Sequence, residues 1–100
     1  MSKTIHLYDF YADWCGPCKM MEPVFESLQN DDTLDIELTK IDVENPNNQN
    51  AVGSYGIQSI PTLLFFTDEQ DFENRNSPDD VLMGAVQKEK IVQKVKQLQN

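Results

Sequence analysis

Cys15 and Cys18 are the only cysteines in the 100 residues, and they sit within Trp14-Cys15-Gly16-Pro17-Cys18-Lys19. A structural zinc ion wants four Cys or His ligands. With His6 as the single histidine, the chain alone cannot complete the usual set. A disulfide across so short a loop constrains the unfolded chain little, because that stabilisation grows with loop length. The pair is therefore read as chemical rather than structural. Cys15 falls where an apolar strand pattern gives way to a helix pattern. There, unpaired N–H groups and the positive end of the helix dipole favour the thiolate, the nucleophilic form. Cys18, one turn inside the helix, is expected to be the less exposed thiol. It is placed to attack the Cys15 sulfur once that atom has joined a mixed disulfide.

Asp9 is the second residue of interest. It interrupts an otherwise apolar segment, shares a parity with Leu7 and Tyr11, and lies six residues before Cys15. A carboxylate at such a position is expected to be buried, which is costly, and such costs are tolerated mainly at functional sites. His6 has the opposite parity and reads as an ordinary strand residue.

These groups need a scaffold to hold them. Thr4 to Ala12 is β-branched and aromatic and apolar on both parities, which predicts a central strand buried on both faces. From Gly16 to Asn30, Met20, Val24 and Leu28 recur with Met21 and Phe25 beside them, an amphipathic helix with Pro17 in its first turn. Leu34 to Val43 reads as a strand paired with the first, completing a βαβ unit. Asn45-Pro46 starts a short helix expected to end at Gly53 and Gly56, and Thr62 to Thr67 is a third buried strand. Asp68 to Asp80 reads as a long polar loop, mobile because Phe72 is its one large apolar side chain. Val81-Leu82-Met83 forms a fourth strand stopped by Gly84, and Lys88 to Gln99 a C-terminal helix docked through Ile91, Val95 and Leu98. The order β-α-β-α-β-β-α implies an α/β sandwich, a four-stranded mixed sheet flanked by helices, in a single domain over residues 1–100.

Composition narrows the function. The net charge of −9 is the wrong sign for a nucleic-acid or anionic-membrane binder. No stretch approaches the roughly 18 apolar residues of a spanning helix, and Met1-Ser2-Lys3-Thr4 opens no signal peptide. A soluble, cytoplasmic protein is expected. Much of the negative charge is concentrated in Thr67 to Asp80, which holds six acids against Arg75 alone.

Two segments carry a family resemblance. DFYADWCGPCKMMEP, Asp9 to Pro23, closely resembles the active-site segment of thioredoxins, and YGIQSIPT, Tyr55 to Thr62, resembles their proline-loop segment. The resemblance implies the three-layer thioredoxin-like sandwich. It also implies Cys15 as attacking and Cys18 as resolving cysteine, joined reversibly as a disulfide, with Asp9 moving protons for Cys18. Ile60-Pro61 is implied to be a cis-proline loop that offers backbone to substrate, with Trp14, Gly16, Pro17 and Gly84 completing a docking rim. The activity implied is reduction of protein disulfides by a monomer without bound cofactor or metal, recycled by a thioredoxin reductase. Gly16-Pro17 points to the reductants of the superfamily rather than its oxidases and isomerases. The competing reading is a thioredoxin-like binding subunit whose CxxC is secondary.

The sequence departs from the family pattern in several places. It opens directly on the strand carrying Asp9, where an additional strand and helix usually precede it, so a trimmed version of the fold is expected. Leu38 is read at the position of the lysine that usually accompanies the buried acid, with Lys40 as the candidate substitute. Tyr11 stands where tryptophan is common, and Thr67 to Asp80 is longer than the usual hairpin loop.

Overall fold

The computed structural model describes residues 3–100. Strand β1 (Ile5–Tyr11) lies inside a four-stranded sheet of order β2-β1-β3-β4, with β2 over Ile36–Asp42, β3 over Thr62–Phe66 and β4 over Asp80–Met83. β1 runs parallel to β2 and antiparallel to β3, and β4 returns antiparallel to β3. The both-parity apolar pattern of β1 has the expected consequence, since Ile5 and Leu7 enter one core while Tyr8 and Phe10 enter the other.

On the first face, β1 and β3 pack against helices α1 (Gly16–Gln29) and α4 (Lys88–Gln99). The core there joins Leu7, Leu63 and Phe65 to Met21, Phe25 and Leu28 of α1 and to Ile91 and Val95 of α4. Met20 does not belong to the buried stripe expected for α1, being 69% exposed. A spacing of four overshoots the 3.6-residue turn, so a row of fourfold steps drifts around the helix. The row that stays inside is Met21, Phe25 and Leu28.

On the second face, a 3₁₀ turn at Pro46–Asn48 leads into α2 (Gln49–Ser54). Gly53 lies within α2 instead of ending it, and the chain reverses at Gly56, where φ is +60°.

The acidic insertion departs most from expectation. Residues Glu69–Glu73 form a short helix, α3, which adds one element between β3 and β4. The Asp68 carboxylate accepts the Gln70 N–H at 2.9 Å, capping it. Phe72 is buried among Tyr8, Tyr55 and Phe66. Arg75, at φ +58°, turns its guanidinium over the Phe72 ring at 4.9 Å and donates to the Phe72 carbonyl at 2.7 Å. One apolar residue suffices to dock the segment because an aromatic ring buries roughly 150–250 Å² and three other rings receive it.

Candidate active site at the β1–α1 junction

β1 ends at Tyr11, and the chain turns through Ala12, whose carbonyl accepts the Cys15 N–H at 3.1 Å. Cys15 keeps an extended backbone as the N-cap of α1, and Pro17 occupies the first turn, where its missing N–H is no loss. The Cys15 Sγ accepts the Cys18 N–H at 3.1 Å. Cys15 and Cys18 are joined as a disulfide, their Cα atoms 5.2 Å apart.

The expected difference in exposure is absent. Cys15 is 4% exposed and Cys18 7%. The cover over Cys15 comes from a loop 45 residues downstream, where its Sγ lies 3.7 Å from the Ile60 carbonyl oxygen. The Ile60-Pro61 bond is cis. Pro61 is buried, and its carbonyl accepts the Gly84 N–H at 2.8 Å. Gly84 has φ +83°, a conformation that disfavours side chains, so this closure between two chain-distant residues suits glycine. Gly16 and Pro17 are exposed beside the disulfide. Trp14 is 66% exposed, and its indole N–H donates to Glu44 Oε2 at 2.8 Å. The proline loop thus meets Cys15 through Ile60 and Gly84 through Pro61, while Trp14 stands out from the surface rather than filling the core.

Behind the disulfide, a cavity of about 290 Å³ brings Asp9, Tyr11, Cys18, Lys19, Glu22 and Lys40 together. Asp9 is 3% exposed, and its Oδ1 is buried without a hydrogen-bond partner. Burial pushes the Asp9 carboxyl up to about 6, against a smaller opposing pull from Lys40. Lys40 stands directly across from Asp9 in the β1–β2 register. Leu38, read from the sequence as the lysine's replacement, stands opposite Leu7 and packs into the first core. The acid therefore keeps a cation as its cross-strand neighbour. Sequence reasoning does not single out Tyr11, Glu22 or Glu44 as site residues. The period-2 relation of Tyr11 to Asp9 is the available signal for the first, whereas Glu22 and Glu44 carry none.

A dithiol–disulfide pair at a helix N-terminus, with a buried carboxyl on the cavity shared with its second cysteine, is equipped for reversible thiol exchange. The thioredoxin family model matches residues 1–97. The chain belongs to the thioredoxin family. Thioredoxin of Bacillus subtilis (strain 168) is 42% identical over 89 residues, covering 87% of this chain and 84% of that protein. Thioredoxin of Staphylococcus aureus is 38% identical over 89 residues, covering 89% and 77%. Among solved structures, a mutant thioredoxin from Halobacterium salinarum NRC-1 superposes with a TM-score of 0.76 at 32% identity, over 96% of this chain and 75% of that one. Thioredoxin NaTrxh from Nicotiana alata gives 0.76 at 30% identity, over 100% and 76%. This thioredoxin-family chain is a thiol-disulfide oxidoreductase, of a family that acts on disulfide substrates and is reduced by thioredoxin reductase. Among the described residues, no helix is long and apolar enough to cross a membrane.

Proposed function

We propose that the chain works as a monomeric, single-domain protein-disulfide reductase of the cytoplasm, a compartment whose reducing poise keeps thiols available. Cys15, as thiolate, attacks one sulfur of a substrate disulfide, forming a mixed disulfide and expelling the first substrate thiolate, which takes up a proton. Cys18 then gives its proton to ionised Asp9 and attacks the Cys15 sulfur. The second substrate thiolate leaves, taking up a proton in turn, and the Cys15–Cys18 disulfide closes. Two electrons have passed to the substrate, and a thioredoxin reductase restores the dithiol.

The carrying observation is that the Cys15 sulfur already accepts the first-turn N–H of Cys18, while Cys18 shares a cavity with Asp9. The first arrangement favours negative charge on Cys15, and the second gives the Cys18 proton a destination. Substrate is read as docking across Trp14, Gly16, Pro17, Ile60, Pro61 and Gly84, with no bound cofactor or metal required.

The decisive experiment couples NADPH and thioredoxin reductase to reduction of a protein disulfide, comparing wild type with Cys18→Ser and the double Cys→Ser variant. Turnover should require both cysteines, and Cys18→Ser should accumulate substrate as a mixed disulfide on Cys15. Reductase-dependent turnover by the wild type no greater than that of the double variant would instead select the binding-subunit reading.

A further inference from the structure

Register sets Asp9 directly across from Lys40, a placement from which opposite charges ordinarily close into an ion pair. Yet among the described residues no cation comes within ion-pair distance of Asp9, and its Oδ1 has no hydrogen-bond partner. The Lys40 ammonium lies instead over the ring of Tyr11, 4.6 Å from its centroid. Tyr11 follows Asp9 by two residues on β1, so the two side chains share a strand face. A ring there intercepts a lysine arriving from β2, because the ammonium is drawn to the negative face of the aromatic system.

We propose that Tyr11 is a positioning residue whose ring holds the Lys40 ammonium away from Asp9, leaving the carboxyl group unpaired and open to the cavity it shares with Cys18. This rests on the reading of Asp9 as the proton carrier. A directly paired Asp9 would be held ionised and would be a weak base toward the Cys18 thiol. With Lys40 parked on Tyr11, the cation still steadies the carboxylate at a distance but does not occupy it.

The other charged and titratable groups at this cavity are Cys18, Lys19 and Glu22 from α1 and Asp13 beyond the end of β1. β3 contributes nothing titratable there, Leu63 being the residue across from Asp9. Tyr11 itself remains a neutral phenol, because burial and then the neighbouring acids, Asp42 foremost, push its titration up.

The test follows the Asp9 carboxyl by ¹³C NMR across pH in wild type, Tyr11→Phe, Tyr11→Leu, Lys40→Met and the Tyr11→Leu/Lys40→Met double variant. Tyr11→Phe keeps the ring face and should leave the Asp9 midpoint in place. Tyr11→Leu frees Lys40 to close on Asp9, and the midpoint should fall by about half a pH unit or more. In the Lys40→Met background, Tyr11→Leu should produce no such fall. An unchanged or higher midpoint in Tyr11→Leu overturns the proposal. So does an equal fall without Lys40, since the ring would then act by excluding water. The pH profile of the Cys18 resolving step, measured on the same variants, separates the two readings. If the midpoints move as expected while the rate profile stays fixed, Tyr11 positions Lys40 as proposed and Asp9 is not the proton carrier.

Discussion

Phe72 lies flat on Tyr8, their ring centroids 3.8 Å apart and their planes 5° from parallel. The stack joins the acidic insertion to the central strand. Tyr55 binds the same unit from α2's end, its ring 5.5 Å from Phe72 and its hydroxyl donating to the Asn76 carbonyl at 3.1 Å. A segment with six acids and one arginine is thus part of the second core rather than a tether between strands.

Phe72→Ala should accordingly destabilise the protein by about 3–5 kcal/mol, the usual cost of truncating a buried aromatic. The cysteines lie in a separate cluster, so the folded variant should reduce small disulfides at the wild-type rate. Urea melts beside an activity assay check both points. A stability loss under about 1 kcal/mol, at the level of an ordinary surface change, would mean the ring is not a working part of the core.

Asp9 supplies the clearest pH dependence. Its folded titration is raised to about 6 by burial, so the fold prefers the neutral acid. The penalty is absent below the unfolded value near 4, grows as pH rises towards 6, and is complete above it. At pH 7 it amounts to something on the order of 2–3 kcal/mol. Asp9→Asn should therefore be more stable than wild type at pH 7 and nearly equal to it at pH 4, while resolving mixed disulfides more slowly. Thermal melts at the two pH values decide it, and equal shifts at both would show that the charge of Asp9 is not the cause.

What was legible in the sequence divides along physical lines. β1 and α1 declared themselves through runs long enough to show their period, and the motif joining them fixed Cys15 at a helix cap. The neighbour of Asp9 was not legible, because a two-residue error in parallel register preserves every inward and outward assignment while replacing Lys40 by Leu38. α3 was hidden because five residues display no helical period, and its docking depends on Tyr8 and Tyr55, which lie far away in sequence. The cover over Cys15 was equally non-local, arriving with Ile60. Chemistry was therefore readable where neighbours in sequence made it, and obscure where the sheet and the proline loop brought distant residues together.

In the reduced protein, Cys15 should be alkylated before Cys18 even though the disulfide form covers both. The ordering rests on the cap. The Cys15 sulfur receives the Cys18 N–H at 3.1 Å and sits at the positive end of α1, which favours its thiolate. Limited alkylation at neutral pH followed by peptide mapping reads the order directly, and preferential labelling of Cys18 would reverse the assignment of roles.

Trp14 offers a way to separate docking from chemistry. Two-thirds exposed and tethered to Glu44 by a 2.8 Å hydrogen bond, it contributes little to the core and much to the surface beside the disulfide. Trp14→Ala should leave thermal stability within about 0.5 kcal/mol of wild type, as for other exposed positions. Reduction of small disulfides, which need only Cys15 and Cys18, should persist. Reduction of protein disulfides should slow about fivefold or more, since the interface residues whose truncation costs over about 1 kcal/mol of binding are enriched in Trp. Glu44→Gln retains an acceptor for the indole N–H and should behave like wild type, whereas Glu44→Ala frees the ring and should give an intermediate loss. Steady-state rates on one protein and one small substrate compare all three variants, and equal slowing on both substrates would place Trp14 in the chemical step instead of the docking rim.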